Sequence, residues 1–282
     1  EKYIAANCPA VVSYIEKYHP EMVGSLAPIA SPMSAMGRAL DEIYGRDYKK
    51  VFIGPCIAKK NEAETEEAGS SMDCAITFGE LQELILSKGL TPQNTEPSDF
   101  DLPHPSTGAL LPLSRGLLQA ATIDEDLMQG DVVTAEGPHD FTAAIEEIVN
   151  GKIDIRLLEI LACNGCIMGP GMTTCAPMLA RRLRVSDYVR YRASSLDRIL
   201  WRNFMDSLAG LDLSRTFTPC DQRIKTPAAD EVRGILIKMG KKDAADELNC
   251  GACGYHTCRE HAIAISKGIA ESEMCLPYTI EK

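Results

Sequence analysis

The stretch Asp131-Val132-Val133-Thr134-Ala135 is rich in β-branched residues and reads as a strand. From Asp140 to Asn150 the period changes: Phe141, Ala144, Ile145 and Ile148 recur at helical spacing, and Gly151 closes the run. Ile155 to Leu161 is again apolar and strand-like. Strand, helix and strand in that order imply a crossover unit and a mostly parallel sheet. Working outward, Val51-Phe52-Ile53-Gly54 reads as a short buried strand and Ala75-Ile76-Thr77 as another. Phe78 to Leu86 reads as a helix with Phe78, Leu81, Leu84 and Ile85 on one face, and a helix is expected after Cys8. Thr91 to Gly108, rich in Pro, Ser and Asp, reads as a surface loop. The expected fold class is α/β, a mostly parallel sheet flanked by helices, with a small helical domain attached.

That attachment follows a change of character past Leu211. Asp212 to Glu231 mixes Pro, Thr and charge, and Glu231 to Met239 reads as one helix. The expected organisation is an α/β domain over 1–212, a linker and helix over 213–247, and a cysteine-rich domain over 248–282.

The chain has 282 residues, 45% of them hydrophobic and 24% charged, which excludes a disordered chain. Its formal net charge of -11 disfavours a nucleic-acid partner. No apolar run approaches the ~20 residues of a membrane span. Glu1-Lys2-Tyr3-Ile4 lacks the basic-then-apolar shape of a signal peptide, so a cytoplasmic location is expected.

Eleven cysteines are the most informative feature, and an odd count without a signal peptide argues against a disulfide framework. Cys250-Gly251-Ala252-Cys253-Gly254-Tyr255-His256-Thr257-Cys258, followed by Cys275, brings four thiols together in a short segment. The stretch Arg259 to Glu273 has helical periodicity and returns the chain to Cys275. A structural zinc site usually shows two matched Cys pairs. The uneven spacing here suits a four-iron four-sulfur cubane. The segment resembles a small iron–sulfur domain family with the pattern C-x-x-C-G-x-x-x-C and a distal Cys.

Three further segments carry cysteines: Ala6-Asn7-Cys8-Pro9-Ala10, Gly54-Pro55-Cys56-Ile57-Ala58-Lys59-Lys60-Asn61-Glu62, and Glu159 to Gly171 with Cys163 and Cys166. Cys56 and Cys163 each follow an expected strand. Open parallel sheets place their sites at the carboxyl ends of strands, so Cys8, Cys56, Cys163 and Cys166 are expected to hold a second cluster. A lysine close behind Cys56 is placed to donate to an anionic ligand. The glycines around Pro170 read as letting the backbone approach something bulky.

Together these segments resemble the three signature motifs of the catalytic domain of FeFe (iron-only) hydrogenases. The resemblance runs from residue 1 to residue 190, with further agreement in Ser31-Pro32, Asp73 to Leu86 and Asp131 to Asn150. It implies a cubane joined through one cysteine to a diiron unit carrying CO, cyanide and a bridging dithiolate. It implies Cys8, Cys56, Cys163 and Cys166 as the cubane ligands, Cys166 as the bridge, Lys59 as the donor to a cyanide, and Glu62 behind it. Asn7 stands where the family has a proton-relaying cysteine, and an amide cannot gain and lose a proton near pH 7 as a thiol can. Ala27 replaces a relay serine, Gly54 and Leu161 replace methionines, and the third motif reads C-x-x-C rather than C-x-x-x-C.

Such departures resemble the sensory, regulatory branch of that family. They imply an oxidoreductase that binds H2, or slowly and reversibly oxidises it, and passes electrons or a signal through the C-terminal cluster. The expected partners are H2, hydrogenase maturation factors, a ferredoxin or signalling protein, and a second copy of the chain. The family has a strand-and-helix half and ferredoxin-like domains ahead of its first motif, so the chain reads as a portion that lacks both. The rival readings are a non-enzymatic iron–sulfur protein without the diiron unit, related to cluster-assembly proteins, and a pure electron-transfer module. Lys59 speaks against the first, because a cyanide donor has no use without cyanide.

Other residues have plainer readings. Cys74 and Cys175 read as packing and Cys220 as a bystander. His256 reads as a surface residue or a donor beside the cluster. Of the methionines, only Met168 is read as lining a cofactor pocket. Arg181-Arg182-Leu183-Arg184, with Arg190 and Arg192, reads as a solvated helix face, and Tyr188 and Trp201 read as packing residues.

Overall fold

Strand β5 (Leu157–Leu161) lies between β1 (Tyr3–Ile4) and β4 (Val132–Glu136) in a three-stranded sheet, and both pairings are parallel. The register runs from Val132↔Leu157 to Glu136↔Leu161 on one side and Tyr3↔Leu157, Ile4↔Leu158 on the other. A central parallel strand is covered on both faces, which is why Leu158, Ile160 and Leu161 are all buried in succession. Helix α6 (Asp140–Val149) makes the crossover from β4 to β5 and buries Ile145 completely. Helix α1 (Pro9–Tyr18) adds Val11, Val12 and Ile15 to the same core.

This computed structural model describes residues 2–65 and 71–282, which divide into the units Glu1–Asp221 and Gln222–Lys282. The first unit has a second sheet, β2 (Val51–Ile53) paired in parallel with β3 (Cys74–Ile76). The expectation of a buried strand at Val51 is corrected: Val51 and Ile53 stay exposed. With only two strands, one face alone is covered, where Phe52 and Ala75 meet Met33, Ala63 and Met72. Cys74 points to the open side and is exposed, as is Cys175, so neither is a packing residue.

The first unit's remaining helices are α2 (Pro32–Tyr44), α3 (Ala58–Glu64), α4 (Phe78–Ser87), α5 (Gly116–Ala120), α7 (Met178–Ser194) and α8 (Arg198–Ser207). Thr77 and Glu80 form a reciprocal capping box at the start of α4. The basic stretch of α7 is only partly a solvated face. Arg181 donates to the carbonyls of Ala176 and Ile167, and Arg192 pairs with Asp99, whereas Arg182, Arg184 and Arg190 are exposed. Tyr188 is also exposed, and Trp201 donates to the carbonyl of His104.

Residues 212–220 lie along the first unit, held through their backbone. Arg38 donates to the carbonyls of Asp212 and Ser214, Ala30 N–H to Leu213, Arg215 N–H to Pro28 and Cys220 N–H to Glu16. Among the described residues no helix is long and apolar enough to cross a membrane.

The second unit packs α9 (Ala229–Lys238) against α10 (Cys258–Ser266), with Val232, Leu236, Cys258 and Ala262 between them, and ends in α11 (Leu276–Glu281). The helix expected through Glu273 stops at Ser266. Gly268 takes a φ of +70°, and the N–H groups of Gly268 and Ile269 close back onto the carbonyls of Ile265 and Ala264. That turn brings Cys275 back beside the start of the helix.

Candidate metal centres

Strands β1, β2 and β5 run into Cys8, Cys56 and Cys163 within four residues of their carboxyl ends. Cys8 occupies the N-cap position of α1 without spending its side chain on a cap hydrogen bond. Gly165, at φ +72° between Cys163 and Cys166, turns the third segment so that both thiols serve one place. Gly169 and Gly171 do not make room for a bulky ligand, as the spacing had suggested. A Cβ on either would strike the carbonyl oxygen of Pro55, at 2.7 and 2.9 Å, and Gly171 N–H donates to that oxygen at 2.8 Å. These glycines clamp the third cysteine segment onto the second.

The result is a set of four thiols that feel one another. Cys8 is buried, and Cys56, Cys163 and Cys166 are half-buried. Burial first, then the proximity of Cys8 and Cys56, pushes the Cys166 thiol up to about 12. Burial, followed by Cys8 and Cys56, raises Cys163 as well. Burial also raises Cys56, against backbone N–H bonds from Lys59 and Ala58 that favour its thiolate. Without a metal such thiols hold their protons; an iron core must displace them, so loading releases acid.

Beside them lies a buried charge network. Lys59 Nζ donates to Glu62 Oε2 at 2.7 Å and to Ser31 Oγ at 3.0 Å. The other Glu62 oxygen accepts from Arg215 Nη1 at 2.6 Å. Burial alone would raise the Glu62 carboxyl; the charge and hydrogen bond of Lys59, with Ser31 and Arg215, outweigh it and hold the group below the usual carboxylate range. Arg215 also sits over the Phe217 ring, 4.9 Å from its centroid. Asn7 is half-buried, and its Oδ1 has no hydrogen-bond partner. Met168 packs against Leu110, Leu113, Ile167 and Val189.

Glu159, four residues before Cys163, opens the third cysteine segment, but its sequence position gave it no role of its own. Its Oε1 accepts from Leu117 N–H at 3.2 Å, and its Oε2 is buried without a partner. Burial raises its carboxyl from 4.5 to about 7, against backbone N–H bonds from Leu117 and Leu118. A raised folded-state pKa leaves stability intact below 4.5, erodes it as pH rises toward 7, and imposes the full penalty above that. Glu159→Gln is therefore expected to stabilise the metal-free protein by roughly 2–3 kcal/mol at pH 8 and to change little at pH 4.5, read from paired urea titrations.

In the second unit Cys250, Cys253, Cys258 and Cys275 line one small cavity. Gly251 and Gly254, at φ +73° and +88°, fold the loop around it. Asn249 Oδ1 accepts from Cys258 N–H at 2.8 Å and ties the loop to α10. His256 is exposed; the histidine of this cavity is His261, 1% exposed and stacked on Tyr255 at 5.2 Å between ring centroids. Its position three residues past Cys258, on the buried face of α10, is the signal that could have found it.

Among the described residues no three His, Cys, Asp or Glu stand close enough to ligate a single metal ion. A cubane binds each thiolate to a different iron, so its ligands are spread wider than those of one tetrahedral ion. Cys8, Cys56, Cys163 and Cys166 influence one another electrostatically, and Cys250, Cys253, Cys258 and Cys275 line one cavity, which is compatible with that wider spread. The first site does not fit turnover at a diiron unit, because the relay position is an amide.

Comparison with known proteins follows the same division. Residues 1–170 match the family model "Iron only hydrogenase large subunit, C-terminal domain", and residues 246–277 match one described as "Putative Fe-S cluster". The fold resembles the FeFe-hydrogenase HydA(deltaEFG), with a TM-score of 0.58 and 17% identity over 77% of this chain and 76% of that one. Apo HydA1 from Chlamydomonas reinhardtii, in a cysteine-to-histidine variant, gives a TM-score of 0.55 at 16% identity over 78% of this chain and 76% of that one. Likeness at that identity speaks for the fold alone.

Curated relatives carry a different name. The cytosolic Fe-S cluster assembly factor NAR1 homolog of Schizosaccharomyces japonicus is 31% identical over 33% of this chain and 20% of its own length. The cytosolic Fe-S cluster assembly factor narfl of Xenopus tropicalis is 22% identical over 60% of this chain and 46% of its own. A probable cytosolic Fe-S cluster assembly factor of Aedes aegypti is 26% identical over 59% of this chain and 46% of its own. The matched part thus spans less than half of each of these relatives. These relatives overturn the expectation of a sensory hydrogenase, and with it that of an oxidoreductase acting on H2. The physical reason is visible at Asn7, whose amide cannot relay a proton.

Proposed function

The chain belongs to the family of the iron-only hydrogenase large subunit, C-terminal domain, and from that premise we propose that it is a non-enzymatic iron–sulfur protein of cluster assembly. It carries one cubane on Cys8, Cys56, Cys163 and Cys166 and a second on Cys250, Cys253, Cys258 and Cys275. One observation carries this reading: the cluster thiols of the first site are all present and mutually close, while the proton-relay position beside them is Asn7. Relatives named as cytosolic Fe-S cluster assembly factors support it. The cytosol, and the assembly machinery working there, are the proposed setting and partners.

The residues around the first site then hold a cluster rather than work a reaction. Lys59 and Arg215 against the single Glu62 leave one net positive charge near thiolates that become anionic on metallation. Anaerobic reconstitution is expected to give about eight iron and eight sulfide per chain, with two EPR signals on reduction. Co-expression with hydrogenase maturation factors should add no infrared bands of CO or cyanide, and H2 should not reduce either cluster. Appearance of those bands together with H2-dependent reduction would sink the proposal.

A further inference from the structure

Helix α9 ends at Lys238, and the chain then reverses through Gly240 at φ +79°. Gly240 N–H donates to Ile237 and Lys241 N–H to Leu236, a closed helix end that sets where the next side chain goes. That side chain is Lys241, which lines the same cavity as Cys250, Cys253, Cys258 and Cys275 and is 6% exposed. Its ammonium has three donors and gives one to the carbonyl of Asp246, at 3.2 Å. The Asp246 carboxylate does not answer it, accepting instead from the N–H groups of Lys242 and Asp243. Among the described residues no carboxylate pairs with Lys241. The other basic group of the cavity, His261, has its Nε2 3.1 Å from the carbonyl of Glu271.

A buried ammonium without a counter-charge is costly. Four thiolates around an iron–sulfur core supply such a charge, and the cluster becomes one unit more negative on reduction. Resting on the cubane reading of these cysteines, we infer that Lys241 is the counter-ion of the C-terminal cluster and raises its reduction potential. A cation facing the core favours the more negative, reduced state over the oxidised one.

The test uses the full chain reconstituted with iron and sulfide, alongside Lys241→Met and Lys241→Arg, with EPR-monitored redox titration of both clusters and iron analysis. The methionine variant is expected to keep its iron while its C-terminal cluster becomes at least tenfold harder to reduce, a fall of about 59 mV for one electron. The arginine variant should stay near the parent, and the cluster of the first unit should not move in either. Loss of the cluster from the methionine variant but not from the arginine variant also supports a charge role. An unchanged potential in a methionine variant that holds its cluster, or loss of the cluster from both variants, overturns the inference. Failure of the parent chain to assemble any cluster on these cysteines overturns the cubane reading itself, and is seen before a variant is made.

Discussion

Cys166→Ala is expected to lower the iron content of the reconstituted chain from about eight to about four per molecule and to abolish one of the two EPR signals. The thiol sits among Cys8, Cys56 and Cys163, each of which raises its pKa once burial has done so. If those neighbours share one cage, as proposed, removing one corner leaves an iron without a protein ligand and three thiolates crowded around an incomplete core. The C-terminal signal should persist, because the cysteines proposed to hold that cluster lie in a different unit of the chain. Cys74→Ala is the matching control: that thiol is exposed, and both signals and all the iron should survive its loss. Full iron in Cys166→Ala would mean that the three cysteine segments do not serve a common cluster.

Glu62→Ala should cost about 3–5 kcal/mol of the metal-free protein's stability, measured by urea unfolding. Glu62 is 2% exposed and stands between Lys59 at 2.7 Å and Arg215 at 2.6 Å. Taking it away leaves two buried cations facing each other with only Ser31 Oγ to receive a proton from Lys59. An exposed pair such as Lys282 with Glu273 offers the contrast, since water already screens it and its loss should hardly register. The effect also has a pH signature. The Glu62 carboxyl is held below its ordinary 4.5, so its contribution is complete above that pH and disappears as the pH falls through the lowered folded-state value. The gap between the parent and Glu62→Ala should therefore close in acid. A variant as stable as the parent at neutral pH would show that the buried network carries no net stabilisation.

Much of this molecule could be read along the chain. The period change from Val132–Glu136 to Asp140–Val149 and back to Leu157–Leu161 announced the parallel sheet, because side-chain burial repeats differently in the two elements. The four closely spaced cysteines near the C-terminus announced a cluster by local spacing alone. Strand β1 escaped notice, since two residues have no period; Tyr3–Ile4 is a strand only because Leu157 and Leu158 lie beside it. The buried strand expected at Val51 fared worse for a related reason, as apolar content does not say how many partners a strand will find. The largest error was functional. Asn7 stands at the relay position and cannot pass a proton, whereas Lys59, which donates to Glu62 and Ser31, does not require a cyanide partner.

Local chemistry, then, was written in the order of residues: which segments are helix or strand, which segments carry the cysteines, and which relay group is missing. What the polymer order could not convey is who meets whom across long separations. Arg215 reaches Glu62 across 153 positions, Gly171 closes on the carbonyl of Pro55, and Lys241 is turned inward by the helix end at Gly240. Those meetings depend on how the packed elements exclude water and bury charge together, a property of the folded arrangement and of no single stretch within it.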